Sequence, residues 1–308
     1  WLKIVEKHTN SKLYPLIGYK GEEPIGIYPI FFQKRKRIFK LAFSPPPRAL
    51  LLYMGPAFIN YNRLKQSGRE TVFLEFQNNV DEFIDNELRC GYIRIRTPPR
   101  LIDCRPLKWS GYSVEPLYTY VIDISRGAEE VWKNLNRKLR VGIEKTRKEG
   151  VKVELGDKDD LDYLRMSLYE RFIKQGAKPK KDYYKGYLYD IYKEFYPDNM
   201  KIFIAKYNGE RVGGLVVLCF RDWSALWIGI PKTELKGIYP NDLLIWESIE
   251  AGCEGGYKYL YEVGANTPRL VRYKANFNPD LVINFSVTKR NIFTYICEKV
   301  YKFIRRGL

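Results

Sequence analysis

Two stretches of the chain share one outline of apolar and polar positions. Residues 13–47 read as an apolar strand, a turn at Lys20-Gly21, a second strand over 25–32, a basic turn and a third strand ending at Phe43. Residues 201–231 repeat that outline around Asn208-Gly209, the strongest short hairpin signal. The copies align directly: Tyr19-Lys20-Gly21-Glu22 with Tyr207-Asn208-Gly209-Glu210, and Ile25-Gly26 with Val212-Gly213. Each is followed by a helical pattern, a glycine turn and a strand: 76–88 into Cys90-Gly91-Tyr92-Ile93, and 241–253 into Gly255-Gly256-Tyr257. Shared features in one order point to tandem duplication.

Between the copies the period changes from two to about 3.6. Val131, Leu135, Leu139 and Ile143 predict one long basic helix over 129–149, stopped by Gly150. Leu161, Leu164, Leu168 and Phe172 predict a helix over 160–174, and Tyr184, Leu188, Ile191 and Phe195 another over 182–195. Residues 105–120, with two prolines, read as a connector. A last strand is expected over 281–288 and an amphipathic basic helix over 291–305.

Composition narrows the partners. The 308 residues suffice for about two domains. An excess of 53 basic over 36 acidic side chains leaves +17, which points to an anionic partner: nucleic acid, an acidic membrane surface or a phosphorylated substrate. Five cysteines without CxxC spacing argue against a zinc site or disulfide framework and for a reducing, cytoplasmic compartment. No apolar run approaches a membrane span, and no signal peptide is expected. The chain starts at Trp1 rather than Met, so residues upstream are expected to be missing. His8 is the one histidine, so histidine-based catalysis and metal binding have little to work with, and no metal site is expected.

The order of the second half, helices, antiparallel meander, helix and strand, is that of the GNAT acyltransferase fold. Within it the chain resembles the Fem-type aminoacyltransferases, which build peptidoglycan cross-bridges on two GNAT-like lobes. The stretches that carry this are Leu135-Asn136-Arg137-Lys138-Leu139-Arg140, Pro240-Asn241-Asp242-Leu243-Leu244, Tyr261-Glu262-Val263-Gly264 and Arg272-Tyr273-Lys274-Ala275-Asn276-Phe277. The last is similar to the family's Phe-Lys-x-x-Phe-Gly signature, with Tyr273 for its first aromatic and Asn278 for its glycine, and in the third stretch Glu262 stands where the family's strand end usually has an Asp. The first lobe matches loosely, through the run Ser44-Pro45-Pro46-Pro47 and Gly55-Pro56. The resemblance implies an α/β (α+β) chain of two tandem GNAT-like lobes, each a mixed, mostly antiparallel sheet flanked by helices. The expected boundaries are 1–118 for an N-terminally incomplete first lobe, 119–290 for the second, and 291–308 for a helix packing on the first.

Acyl transfer to an amine needs a fixed cation or donor for the developing oxyanion, and a proton acceptor for the attacking ammonium. Lys274 is the candidate for the oxyanion, or for a substrate phosphate, with Tyr273 beside it. Glu262 is the nearest carboxylate acceptor by sequence; the resemblance implies instead the backbone carbonyl before the lysine, or the substrate. Arg269, Arg272 and Lys274 crowd one expected loop and suit a diphosphate, with Asn276, Arg48, Tyr239 and Asn241 as further substrate contacts. Arg137, Lys138 and Arg140 are expected to grip tRNA phosphates, a solvated helix face being the competing reading.

No cofactor is expected. Coenzyme A is the alternative, weakened because Lys236-Gly237-Ile238-Tyr239-Pro240-Asn241 has one glycine and a proline where amides should cradle a pyrophosphate. The partners implied are an aminoacyl-tRNA or acyl donor, an amine of a phosphorylated cell-envelope precursor or peptide, and peripheral contact of the tail helix with the inner face of an anionic membrane. A non-catalytic basic module binding RNA or anionic lipid is the third reading.

Overall fold

The computed structural model describes residues 1–36, 38–177, 180–182, 184–229 and 235–297. In chain order the elements are α1 (Leu2–Thr9), β1 (Lys12–Lys20), β2 (Glu23–Arg35), β3 (Phe39–Ser44), β4 (Ala57–Phe58), α2 (Gln66–Phe83), β5 (Tyr92–Arg96), α3 (Arg105–Trp109) and β6 (Ser113–Asp123). They continue with α4 (Ala128–Asn134), α5 (Arg137–Lys148), β7 (Lys152–Leu155), α6 (Lys158–Lys174), α7 (Lys185–Phe195), β8 (Met200–Tyr207), β9 (Glu210–Phe220), β10 (Trp223–Gly229), α8 (Pro240–Glu254), β11 (Tyr259–Tyr261), α9 (Pro268–Lys274) and β12 (Asp280–Arg290). The chain divides into two units, Trp1–Leu117 with Ile283–Leu308, and Tyr118–Val282. No helix among the described residues is long and apolar enough to cross a membrane.

The first unit's sheet has the order β1-β2-β3-β5-β12. β1–β2 and β2–β3 are antiparallel, β3–β5 parallel, and β5–β12 antiparallel with Ser286↔Arg96 and Arg290↔Tyr92 as the ends of the register. Tyr28, Ile30, Ile93 and Ile95 on its strands bury against Phe73, Phe76 and Val80 of α2. That helix begins ten residues before the expected position 76, because its first turns expose polar side chains and carry no apolar stripe to read. It ends in a π-turn, Ile84–Leu88, closed by Arg89 in the left-handed region at φ 53°.

The second unit's sheet runs β6-β11-β10-β9-β8-β7. From β8 the pairings repeat those of the first: β8–β9 and β9–β10 antiparallel, β10–β11 parallel, β11–β6 antiparallel. Its core sets Phe203, Leu215 and Val217 of the strands against Leu139 and Ile143 of α5 and Leu243, Trp246 and Ile249 of α8. Both sheets are mixed and mostly antiparallel, with helices packed on them, so the α/β class and the repeated unit hold.

Three local expectations are corrected. Residues 105–120 are not a plain connector: after the short α3 they enter β6, an 11-residue strand with Tyr120 and Val121 buried. The prolines fit because Pro106 lies in the first turn of α3 and Pro116 near the exposed start of β6. The segment holding Arg269, Arg272 and Lys274 is not a loop but helix α9, opened by Pro268 at its first position. Residues 129–149 are not one helix. The chain breaks at Leu135, whose ψ of 149° is extended, and restarts at Asn136.

Asn136 caps α5 by accepting from the Lys138 amide at 2.9 Å, while its own amide donates to the carbonyl of Asn276 at 2.9 Å. The stripe Leu135, Leu139, Ile143 masked this break because all three are buried on both sides of it. Asn136→Ala is expected to lower stability by about 1 kcal/mol. A thermal melt without a shift would mean that the Asn276 contact alone holds the break.

Past Arg290, residues 292–297 are helical, and the rest of the expected tail helix lies outside the described residues.

Candidate active site

β11 pairs with β10 only as far as Ala225↔Tyr261, while β10 continues to Gly229. Beyond Tyr261 the backbone turns sharply, with Val263 at φ 30° and Gly264 at φ 83°. A β-branched residue at positive φ is costly and needs outside support. That support is visible: the Glu262 amide donates to Tyr120 O at 2.9 Å, Gly264 to Thr119 Oγ1 at 3.3 Å, and Ala265 to Tyr118 O at 2.9 Å.

Lys274, the last residue of α9, supplies the rest. Its Nζ donates to the carbonyl of Glu262, to that of Val263 at 2.6 Å and to that of Gly264 at 3.2 Å. An ammonium has three protons, and three consecutive carbonyls take them. Lys274 is half-buried, and burial lowers its pKa while the nearby Glu262 carboxylate opposes that shift.

Glu262 is 1% exposed, and neither carboxyl oxygen has a hydrogen-bond partner. A buried carboxylate without donors pays a desolvation cost that it escapes by taking a proton. Burial accordingly pushes its pKa up to about 8, against the downward pull of Lys274. The form this favours for Glu262 is the neutral acid, beside an Nζ whose donors are taken by backbone carbonyls.

The adjoining residues are tied into the same place. The Tyr273 ring meets Phe277 edge-on at 6.1 Å. Its buried hydroxyl makes no well-formed hydrogen bond, yet Asp242 in the first turn of α8 is near enough to add to the upward shift that burial causes. Asn276 Nδ2 donates to the carbonyls of Arg272 and Tyr273, and its own carbonyl accepts from Asn136. The first turn of α5, with Arg137 and Lys138 exposed, therefore abuts the end of α9, where Arg272 is exposed. Arg140 lies one turn further and is half-buried. Arg147, in the last turn of α5, is taken by Glu247 at 2.7 Å and Glu250 at 3.1 Å.

Tyr239 and Asn241 sit at the other end of α5. The Tyr239 amide donates to Thr146 Oγ1 at 2.9 Å, and its ring lies over Gly142. Lys145 Nζ reaches Gly237. Asn241, in the first turn of α8, lies against Gly213. The structure thus gathers Glu262, Tyr273, Lys274, Arg272 and Asn276 around the end of β11, with Asp242 linking them to α8. Arg269 is exposed on the opening turn of α9. Arg48 is exposed in the first unit at φ 70°, apart from this cluster in the chain's division. Sequence reasoning passed over Asn136, Asp242, Thr119 and the carbonyls of 262–264. Of these only Asn136 had a readable signal, an Asx residue immediately before a basic helical run.

The second unit also holds a cavity of about 210 Å³ lined by Asp123, Arg126, Glu130, Asn134, Phe277 and Asp280 among others. Its floor shares Phe277 with the cluster, but none of the cluster's polar groups lines it.

Comparison with known proteins bears on the fold. Residues 133–275 match the sequence profile of the acetyltransferase (GNAT) domain. No curated protein sequence matches the chain. Among solved structures, FemX superposes with a TM-score of 0.69 at 12% identity, covering 91% of this chain and 89% of FemX. L-PGS from Bacillus licheniformis gives 0.53 at 14% identity, covering 96% and 94%. A tandem GNAT protein from the clavulanic acid biosynthesis pathway gives 0.53 at 9% identity, covering 91% and 83%. At these identities the likeness is one of fold, and the GNAT profile supports acyl transfer as the class of activity. The chain carries a Fem-like GNAT acyltransferase fold, with the GNAT sequence signature over residues 133–275.

Proposed function

We propose that this protein is an aminoacyltransferase that moves an amino acid from aminoacyl-tRNA to an amine of a phosphorylated cell-envelope precursor or peptide. The observation that carries the choice of donor is the state of the amides at the start of α8. A coenzyme A pyrophosphate is gripped by free backbone N–H groups at such a helix terminus. Here the Tyr239 amide is spent on Thr146 Oγ1, Pro240 has none, and the amides of Ile238, Asp242 and Leu243 bond to the carbonyls of Leu235 and Tyr239. Among the described residues this weakens the cradle that a pyrophosphate would need at the start of α8. Arg137 and Lys138, exposed on the first turn of α5 near Arg272, offer phosphate contacts suited to a nucleic-acid backbone instead.

In this reading the acceptor amine attacks the ester carbonyl carbon of the donor, an amide C–N bond forms, and the C–O bond to the ribose breaks. The ammonium proton leaves during attack, and the ribose oxygen takes up a proton as it departs. Glu262, with a pKa near 8, is suited to exchange that proton at neutral pH once substrate binding opens a path to it. The Tyr273 carbonyl and the substrate itself stay as alternative acceptors. Lys274 fixes the turn at 262–264 and adds a positive charge beside the reacting carbonyl. Arg269 and Arg272 are exposed to meet substrate phosphates, Asn276 holds the end of α9 in place, and Tyr239 and Asn241 offer substrate contacts at the other end of α5.

The test is transfer of radiolabel from a mixture of aminoacyl-tRNAs to cell-envelope precursors. Label in an amide product is expected, together with no calorimetric binding of acetyl-coenzyme A. Micromolar binding of an acyl-coenzyme A with turnover would replace the tRNA donor by the coenzyme. Absence of transfer to any amine from either donor set would overturn the reading.

A further inference from the structure

The helix at 292–297 is inverted with respect to solvent. Its buried residue is polar: Thr294, whose hydroxyl donates to the Gly91 carbonyl at 2.5 Å. Its apolar residues face outward, with Ile292 80% exposed, Phe293 54%, Tyr295 50% and Ile296 54%. A surface helix buries its apolar stripe and wets its polar one, so this arrangement requires something to cover the outer face.

The apolar surface extends beyond the helix. Phe293 stacks on Phe39 with ring centroids 5.7 Å apart, and Ile38 beside Phe39 is 66% exposed. The Gly91 amide donates to the Lys40 carbonyl at 3.0 Å, and the Asn291 amide to the Gly91 carbonyl at 3.0 Å, so the start of β3 and the helix form one hydrogen-bonded patch.

Its surroundings are basic. Lys34, Arg35 and Lys36 are exposed at the tip of the β2–β3 hairpin, and Arg89 on the adjoining segment is exposed as well. Of the acids there, Asp85 is engaged by Lys289 at 3.5 Å, which leaves Glu87. An apolar island in a cationic rim is complementary to the interface of an anionic bilayer, where side chains of this type enter the acyl boundary and lysines meet the headgroups. We infer that the face formed by Ile38, Phe293 and the outer residues of the 292–297 helix docks the protein on an anionic lipid surface. This does not depend on the transfer reaction.

Flotation with liposomes tests it. The whole chain is mixed with vesicles of phosphatidylcholine alone or with 30% phosphatidylglycerol (about one anionic lipid in three), at low and high salt. Binding to the anionic vesicles at low salt is expected, with loss at about 0.5 M salt, where the Debye length is only a few ångströms. Ile292→Ser with Ile296→Ser is expected to weaken partitioning about tenfold or more. Lys34→Gln and Lys36→Gln are each expected to weaken it about fivefold. All four side chains are exposed, so the melting temperatures should match wild type. No flotation at low salt, equal flotation with neutral vesicles, or indifference to the isoleucine pair would overturn the inference. So would a lipid-free dimer in sedimentation velocity that Ile292→Ser dissolves, because the face would then belong to a second copy.

Discussion

Lys274→Met is expected to abolish transfer and to cost stability. Methionine keeps the length of the side chain but offers no donor, so three carbonyls, of Glu262, Val263 and Gly264, lose the ammonium that joins them. Each buried acceptor left without a partner costs about 1–3 kcal/mol, offset where water can enter. Because Lys274 is half-buried rather than sealed, a net loss of about 3 kcal/mol is expected in urea or thermal unfolding. The turn holding Val263 at positive φ would lose its brace, and the positive charge beside the reacting centre would be gone. A fall in kcat of at least about 10²-fold is therefore expected, measured well below the variant's melting temperature. A variant that unfolds earlier but turns over normally would reduce Lys274 to a structural brace. A variant with normal stability would contradict the hydrogen bonds themselves.

Glu262→Gln is expected to remove a pH dependence. The folded-state pKa of Glu262 is raised from the ordinary 4.5 to about 8. An acid whose pKa is raised on folding contributes stability that is fully present below the unfolded value. That stability is lost as pH rises through the folded value. The wild-type melting temperature should thus decline from about pH 5 to pH 8.5, by an amount worth a few kcal/mol at most given the pairing with Lys274. Glutamine cannot ionise, so the variant's curve should lie flat over that window and above wild type at its alkaline end. If Glu262 also takes the substrate's proton, kcat/KM of the wild type rises through about pH 8, and the glutamine variant loses about 10²–10⁴-fold together with that rise. A glutamine variant that keeps full activity with an unaltered pH profile would assign the proton to the Tyr273 carbonyl or to the substrate. A wild-type melting temperature independent of pH over the window would mean that Glu262 is not held as a neutral acid.

The two effects are coupled. Lys274 pulls the Glu262 pKa down, so its removal should drive that pKa higher and move the alkaline decline to higher pH. Adding Glu262→Gln to Lys274→Met should remove that shifted decline, because glutamine cannot ionise, while the loss from the three unpaired carbonyls stays.

Much of the fold was legible in the chain because its determinants are local. The turn pairs Lys20-Gly21 and Asn208-Gly209, the alternation around them and the apolar stripes of α6 and α8 specify elements without reference to distant residues. The same holds for the repeat of hairpin, helix, glycine turn and strand, and the structure adds to it an identical sequence of strand pairings. The break before α5 was hidden because Leu135 and Leu139 both keep the stripe while Asn136 turns between them to meet Asn276.

The site was legible only as a list of residue types. Lys274 and Glu262 stood out as a cation and a carboxylate twelve residues apart. Nothing in that spacing says that the ammonium would be spent on backbone carbonyls, or that the carboxyl would be sealed without a donor. Those facts follow from where α9 returns across the end of β11. The sequence by itself determined the duplicated strand–turn–strand unit, its helices and the identity of the charged groups, since each depends on neighbours within a few residues. Tertiary structure alone decided the partners of β12 and β6: β12 joins β5 in the first unit, and β6, which follows β5 in the chain, joins β11 in the second. A strand's pattern fixes which face is buried but not which sheet edge it will meet. That choice is made by backbone groups that look alike in every strand, and it is settled by long-range packing.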